Sequence, residues 1–339
     1  MIKRRQAACW LAWALLQTGG AWAAEAPAAP AEAMAQEEAA PGDAAGKEEA
    51  APAEAAEKED AAPGEAAGKE EAAPAEAAGK EEAAPADAAA KEEAAPAANE
   101  PYSRARSIEF GFTASSLSAG NPSWRGVYAA GVWQTDESNV FDWIAEQDSR
   151  FDEHGIALNG GWNHDFNPDW FGRLELGRSS SGTFWPGTHY GAAINRKWLP
   201  ERNLVTTFGL AYNDNREGYS DRVLTVGLVY YFESPWVVEG GVHRTLSDPG
   251  SVASMQGYGA VTYGRSGKRL VTFAINAGGE GYMPIGINQP RQLFDSQLYQ
   301  LSWREWLGKH WGVHAGTEFY HSPYYERTGV TAAVFWDLP

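Results

Sequence analysis

From residue 101 onward the chain alternates apolar and polar side chains with a period of two. Ile108, Phe110 and Phe112 face one way, and Ser107, Glu109 and Thr113 the other. The same alternation sets Ile156, Leu158 and Trp162 against Asn159 and Asn163, and Leu174 and Leu176 against Arg173 and Glu175. It continues through Leu224, Val226, Leu228 and Tyr230, then Val271, Phe273 and Ile275, and then Tyr299, Leu301 and Trp303. The last two runs are Trp311, Val313 and Ala315, and Val330, Ala332, Val334 and Trp336. A period of two belongs to strands with one apolar face, and helical periodicity is nearly absent. Each segment is about ten residues long, the length at which a tilted strand crosses the ~25 Å apolar band of an outer-membrane barrel.

The connections fix the strand count. Six are short and bordered by aromatic residues: TDESN after Trp133, DFNPD before Trp170, LPERN after Trp198, ESP between Phe232 and Trp236, GRSGKR after Tyr263, and LGKH between Trp306 and Trp311. They read as periplasmic turns beside an interfacial aromatic girdle. The connections between them read as longer and polar, among them SSLSAGNPS, SSSGTFWPGTH, NDNREGYSD and SPYYERT. Six inner turns and seven outer loops predict an all-β, transmembrane, antiparallel up-and-down barrel of about 14 strands, with 12 or 16 as the neighbouring counts. A soluble β-sandwich also alternates, but has no reason to place Trp at nearly every second connection.

Composition divides what lies ahead of the barrel. Residues 1–23 have a cationic start (Lys3, Arg4, Arg5), an apolar run from Ala7 to Leu16 and small residues around Ala21-Trp22-Ala23, the layout of a signal peptide. Residues 24–100 carry an eleven-residue repeat opening at Lys47, Lys58, Lys69, Lys80 and Lys91, each copy with a proline at its sixth position. Nothing in it is more apolar than alanine and the prolines interrupt every helical run, so it is expected to be a disordered Ala/Glu/Pro/Lys-rich tail. It holds 21 acidic and 5 basic residues, most of the chain's net charge of −18. The barrel domain is then 101–339. The single cysteine, Cys9, falls in the signal peptide, so no disulfide or thiol chemistry is expected after cleavage.

The final hairpin, GVHAGTEFYHSPYYERTGVTAAVFWDLP, places Gly312, Ala315, Gly316, Tyr320, Pro323 and Gly329 at spacings similar to the C-terminal hairpin of the YaiO family of outer-membrane β-barrels. The resemblance implies an outer-membrane barrel whose relatives often occur beside, or fused behind, components of exopolysaccharide synthesis and export. This chain departs from such barrels in ending Asp337-Leu338-Pro339 where an aromatic is usual, and in carrying an acidic tail where export relatives often carry helical repeats.

Chemistry is expected on the inward faces. Parity puts Glu109, Asp142, Glu146, Arg173, Glu175, Glu239, His243, Gln256, Asn276, Gln300, Arg304, His314 and Glu318 there, a mixture of charges and amides suited to a wet lumen and a polar chain. Arg125 and Arg196 fit either face. The longest outer connection is read as 277–293, where Tyr282, Met283, Ile285 and Ile287 form an apolar patch among glycines that is expected to fold inward as a gating loop. No serine lies in a nucleophile motif such as G-x-S-x-G, so an enzyme is not expected. His310 and His314 would lie about 13 Å apart on a strand and make no metal pair; no metal or other cofactor is expected. Negative charge and the lack of a basic stripe exclude nucleic acid. The resulting expectation is a Gram-negative outer-membrane pore component for exopolysaccharide export, its tail in the periplasm. A small passive porin and a barrel enzyme acting on lipid or surface glycan are the alternatives. Expected partners are outer-membrane lipid and lipopolysaccharide, the barrel-assembly machinery, and polysaccharide with an inner-membrane synthase.

Overall fold

A computed structural model of the chain describes residues 105–180, 184–216, 218–282 and 292–339. The signal peptide and the repeat tail lie outside these residues. Fourteen strands follow one another: β1 (Arg106–Leu117), β2 (Trp124–Gln134), β3 (Asn139–Arg150), β4 (Glu153–Asp165), β5 (Trp170–Ser179), β6 (Thr188–Trp198) and β7 (Leu204–Asp214). The second half comprises β8 (Ser220–Tyr231), β9 (Trp236–Asp248), β10 (Val252–Arg265), β11 (Arg269–Tyr282), β12 (Gln292–Trp306), β13 (Trp311–His321) and β14 (Glu326–Asp337). Each pairs antiparallel with its sequence neighbours, and β1 pairs with β14 from Ser107↔Asp337 to Leu117↔Arg327, closing the sheet without a free edge. An even number of strands puts both barrel ends of the chain on one side, the terminal end. A 12-residue strand such as β1 rises roughly 40 Å along its axis, about 30 Å once tilted, enough to cross an outer membrane.

The alternation runs as the sequence predicts. Phe110, Phe112, Ile156, Leu158, Leu174, Leu176, Leu210 and Phe273 project outward and are exposed, as a lipid-facing surface requires. At the terminal end the outer face is aromatic: Phe141 stacks with Trp162, Trp236 packs on Tyr263, and Phe110 meets Trp336 edge-on. Arg196 belongs to this girdle, its guanidinium 3.6 Å from the Trp198 ring and 5.2 Å from Trp170. That fixes β6 with Arg196 outward. Arg125 is likewise outward, sharing the exposed face of β2 with Val127 and Trp133. An arginine at Leu176, exposed near the middle of β5, should cost about 2–4 kcal/mol of stability in denaturant titrations of the liposome-embedded barrel. A loss well under 1 kcal/mol would mean that Leu176 does not face lipid.

The far connections differ from expectation. They are not uniformly long: the β3–β4 turn is only 151–152, and β9–β10 only 249–251. The strands run beyond the apolar band and absorb polar residues read as loop. Ser115–Leu117 pair with Gly329–Arg327, and Asn213 and Asp214 pair with Asp221 and Ser220. Polarity does not end a strand while a neighbour in register still satisfies its backbone. The supposed loop 277–293 is corrected for the same reason. Its AGGEGY portion continues β11, pairing with β12 out to Tyr282↔Gln292, so the connection itself is 283–291. The Tyr282 side chain, with Met283, Ile285 and Ile287, lies outside the described residues.

Candidate functional site

The inward faces do not leave an empty pipe. Three groups of side chains fill different sectors of the wall, and one encloses a cavity of about 270 Å³. Glu109, Glu146, Gln300, Arg304, His314 and Glu318, six of the thirteen predicted lumen residues, line this cavity. Glu109 on β1 is its centre. The ring of Tyr128 lies across Gly111, its register partner on β1, where a Cβ would fall 2.5 Å from the ring's Cζ; only glycine leaves that path clear. The Tyr128 hydroxyl thereby reaches Glu109 and donates to it at 2.7 Å. Arg304, three strands away round the closed wall, forms a buried ion pair with the same carboxylate and lies 3.6 Å over the Phe335 ring. His314 Nδ1 sits 2.8 Å from Glu109 Oε1, and its Nε2 sits 3.3 Å from the hydroxyl of Ser302.

Farther from the terminal end the cavity wall becomes aromatic. Trp124, Tyr320 and Tyr325 form a buried cluster, with Phe151 packed against it. Phe151 occupies the first position of the β3–β4 turn at φ 49°, and Asp152 follows at φ 63°. This left-handed pair matches strand twist in a two-residue hairpin but is costly for non-glycine residues. The edge-on contact of Phe151 with Trp124, 5.1 Å between centroids, offsets part of that cost. Arg327 pairs with Glu318 at 3.0 Å and lies 4.5 Å over Trp124. Tyr320 donates to Glu280 at 3.0 Å.

A segment not expected to do so enters this region. In the β5–β6 connection, Phe184 and Trp185 are 1% and 2% exposed, pack with Ala157, and face the Arg150 guanidinium at 5.3 and 5.5 Å. Trp185 lines the cavity. In the sequence this pair reads as part of a polar loop, because two aromatics among Ser, Gly and Thr carry no sign of which way they face.

The remaining predicted residues face inward elsewhere. Arg173 donates two hydrogen bonds to Asp142, at 2.6 and 2.9 Å, and one to Glu175 at 2.6 Å. His189 extends this group, 3.7 Å from Glu175 and 2.6 Å from Asn213. On β9 and β10, His243 stacks on Tyr258 and contacts the Thr225 hydroxyl at 2.8 Å, with Gln256 its register partner and Glu239 farther along β9. Asn276 on β11 is the register partner of Tyr258, and none of these seven predicted residues (Asp142, Arg173, Glu175, Glu239, His243, Gln256, Asn276) lines the cavity. Alternation alone missed Tyr128, Ser302, Arg150, Trp185 and Arg327. Ser302 was within reach: the LGKH turn pairs Arg304 with His314, so Ser302, two residues along the same face, must be a diagonal neighbour of that histidine.

The model of the YaiO membrane beta barrel domain matches residues 105–283. The chain belongs to this family. The match spans β1 to β11, so it is independent of the C-terminal hairpin that carries the resemblance in the sequence. As a YaiO barrel it is a protein of the Gram-negative outer membrane. No curated protein matches the sequence. Among solved structures it is similar to the translocator domain of the autotransporter NalP from Neisseria meningitidis, at 12% identity and TM-score 0.41, over 69% of this chain and 88% of that one. It is also similar to the Acinetobacter baumannii outer membrane protein Omp33, at 9% identity and TM-score 0.44, over 69% and 99%. A bacterial polysaccharide outer membrane secretin matches at 12% identity and TM-score 0.42, over 69% and 99%. Likenesses at these scores carry no argument about function.

Proposed function

We propose that this YaiO barrel is a pore component for exopolysaccharide export, with its terminal end and its repeat tail in the periplasm. The observation that carries the reading is the composition of the cavity wall. Carboxylates and guanidiniums (Glu109, Glu318, Arg304, Arg327) alternate there with the ring faces of Trp124, Tyr128 and Trp185. Fixed polar groups that exchange hydrogen bonds with hydroxyls, beside flat apolar surfaces for the C–H face of a sugar ring, are what a glycan chain needs from a binding wall. Lumen carboxylates and guanidiniums are largely paired with each other, which favours a neutral polymer over a strongly anionic one. The rings of Phe184 and Trp185, buried beside the cavity, favour a lined path over the open water-filled lumen of a passive porin. A tail of 77 residues between 24 and 100 would reach up to about 240 Å if extended at ~3.1 Å per residue, and much less as a coil, far enough to approach an inner-membrane synthase.

Removal of the chain from its host should abolish extracellular polysaccharide and leave polymer in the periplasm, with secretion restored by the intact chain. Unchanged secretion in the deletion strain would refute the export role.

A further inference from the structure

We propose that Ser302, His314 and Glu109 form a hydrolytic triad in the lumen, which cleaves carboxylic esters of short acyl groups. The three groups are in line: Ser302 Oγ lies 3.3 Å from His314 Nε2, and His314 Nδ1 lies 2.8 Å from Glu109 Oε1. A carboxylate only accepts hydrogen bonds, so the shared proton sits on Nδ1 and leaves a lone pair on Nε2 pointing at the serine hydroxyl. This is the arrangement a serine nucleophile requires, and it is recognised by geometry rather than by sequence order. Each member comes from a different strand, β12, β13 and β1. That is why no linear motif announces it. The Tyr128 hydroxyl and the Arg304 guanidinium also hold Glu109 and fix its orientation.

All three residues line the same 270 Å³ cavity, which gives the reacting carbonyl a place beside the nucleophile. Arg304, on the same face of β12 two residues from Ser302, also lines the cavity and puts a cation beside the site where charge develops on the carbonyl oxygen. The cavity suits an acetyl-sized acyl group better than a fatty chain.

In the reaction Ser302 Oγ attacks the ester carbonyl while its proton passes to His314 Nε2. Collapse of the tetrahedral adduct breaks the ester C–O bond, and His314 returns the proton to the departing alkoxide, which leaves as an alcohol. Water then attacks the acyl-serine, giving its proton to His314. The carboxylic acid departs and Ser302 takes the proton back. No metal or redox partner is needed. If the export reading holds, the natural carrier is an O-acylated glycan in transit; the chemistry itself does not rest on that reading.

The test uses the full chain refolded in detergent, with folding checked by its heat-modifiable mobility. A fluorophosphonate probe should label the wild type at Ser302, located by peptide mass spectrometry, and p-nitrophenyl acetate should be hydrolysed above the buffer rate. Labelling and turnover should vanish in Ser302→Ala, fall by about 100-fold or more in His314→Gln, and persist in Ser254→Ala. An unlabelled but folded wild type, or an adduct at another residue, would overturn the triad, and this arm needs no variant to fold. Turnover that survives in folded Ser302→Ala would overturn it equally. Neither result bears on whether polymer is secreted, so failure here is distinct from failure of the export role.

Discussion

Replacing Phe184 and Trp185 together with glycine should raise single-channel conductance in planar bilayers severalfold and sensitise cells to bulky antibiotics. The two rings are almost completely buried within the wall and against the Arg150 guanidinium, in a connection at the end of the barrel away from the termini. Burying two such rings takes a large apolar area out of water and is the main term holding this connection against the wall. On this expectation the rings stand in the conducting path, and only a substrate or partner that binds a state with the rings withdrawn would move them. Folded variants with wild-type conductance would show that the rings pack the wall without obstructing the lumen.

Arg173→Ala should be the most destabilising single lumen substitution, costing about 3–5 kcal/mol in denaturant unfolding. Its side chain is 5% exposed and holds Asp142 and Glu175 simultaneously, so truncation leaves two inward carboxylates without the guanidinium they share. Simultaneous replacement of Asp142 and Glu175 by their amides should recover much of the loss, since the unpaired charge rather than the missing contact dominates it. Arg222→Ala, which breaks a largely exposed pair with Asp248, should by comparison be close to neutral. Equal losses at the two arginines would mean that the lumen is wet enough to screen the Arg173 group like a surface pair.

What could be read in the sequence follows from how local each signal is. Strand number, facing and the six aromatic-edged turns depend on neighbours a few residues apart, and a period of two survives any tertiary context in which one face meets lipid. Glu109, Arg304 and His314 could be placed inward for that reason. Their convergence could not be seen, because Arg304 and Glu109 are 195 residues apart and meet only once β14 closes on β1. The inward turn of Phe184 and Trp185 escaped for a different reason: hydropathy draws attention to the apolar patch after Tyr282, while a ring pair in a polar loop gives no direction. Strand ends were misplaced wherever polar residues kept their ladder partners, as at Ser115–Leu117.

The claim that joins fold and function is that a glycan travels through this lumen. The most direct measurement is current through the channel of the glycine-substituted variant, with its lumen unplugged, while a neutral oligosaccharide is added to either side of the bilayer. Resolved, reversible blockades are predicted, shortened when Trp124 is replaced by alanine, since its ring lines the cavity wall. Current that passes undisturbed at saturating oligosaccharide, through a barrel shown to be folded and conducting, would contradict a glycan path.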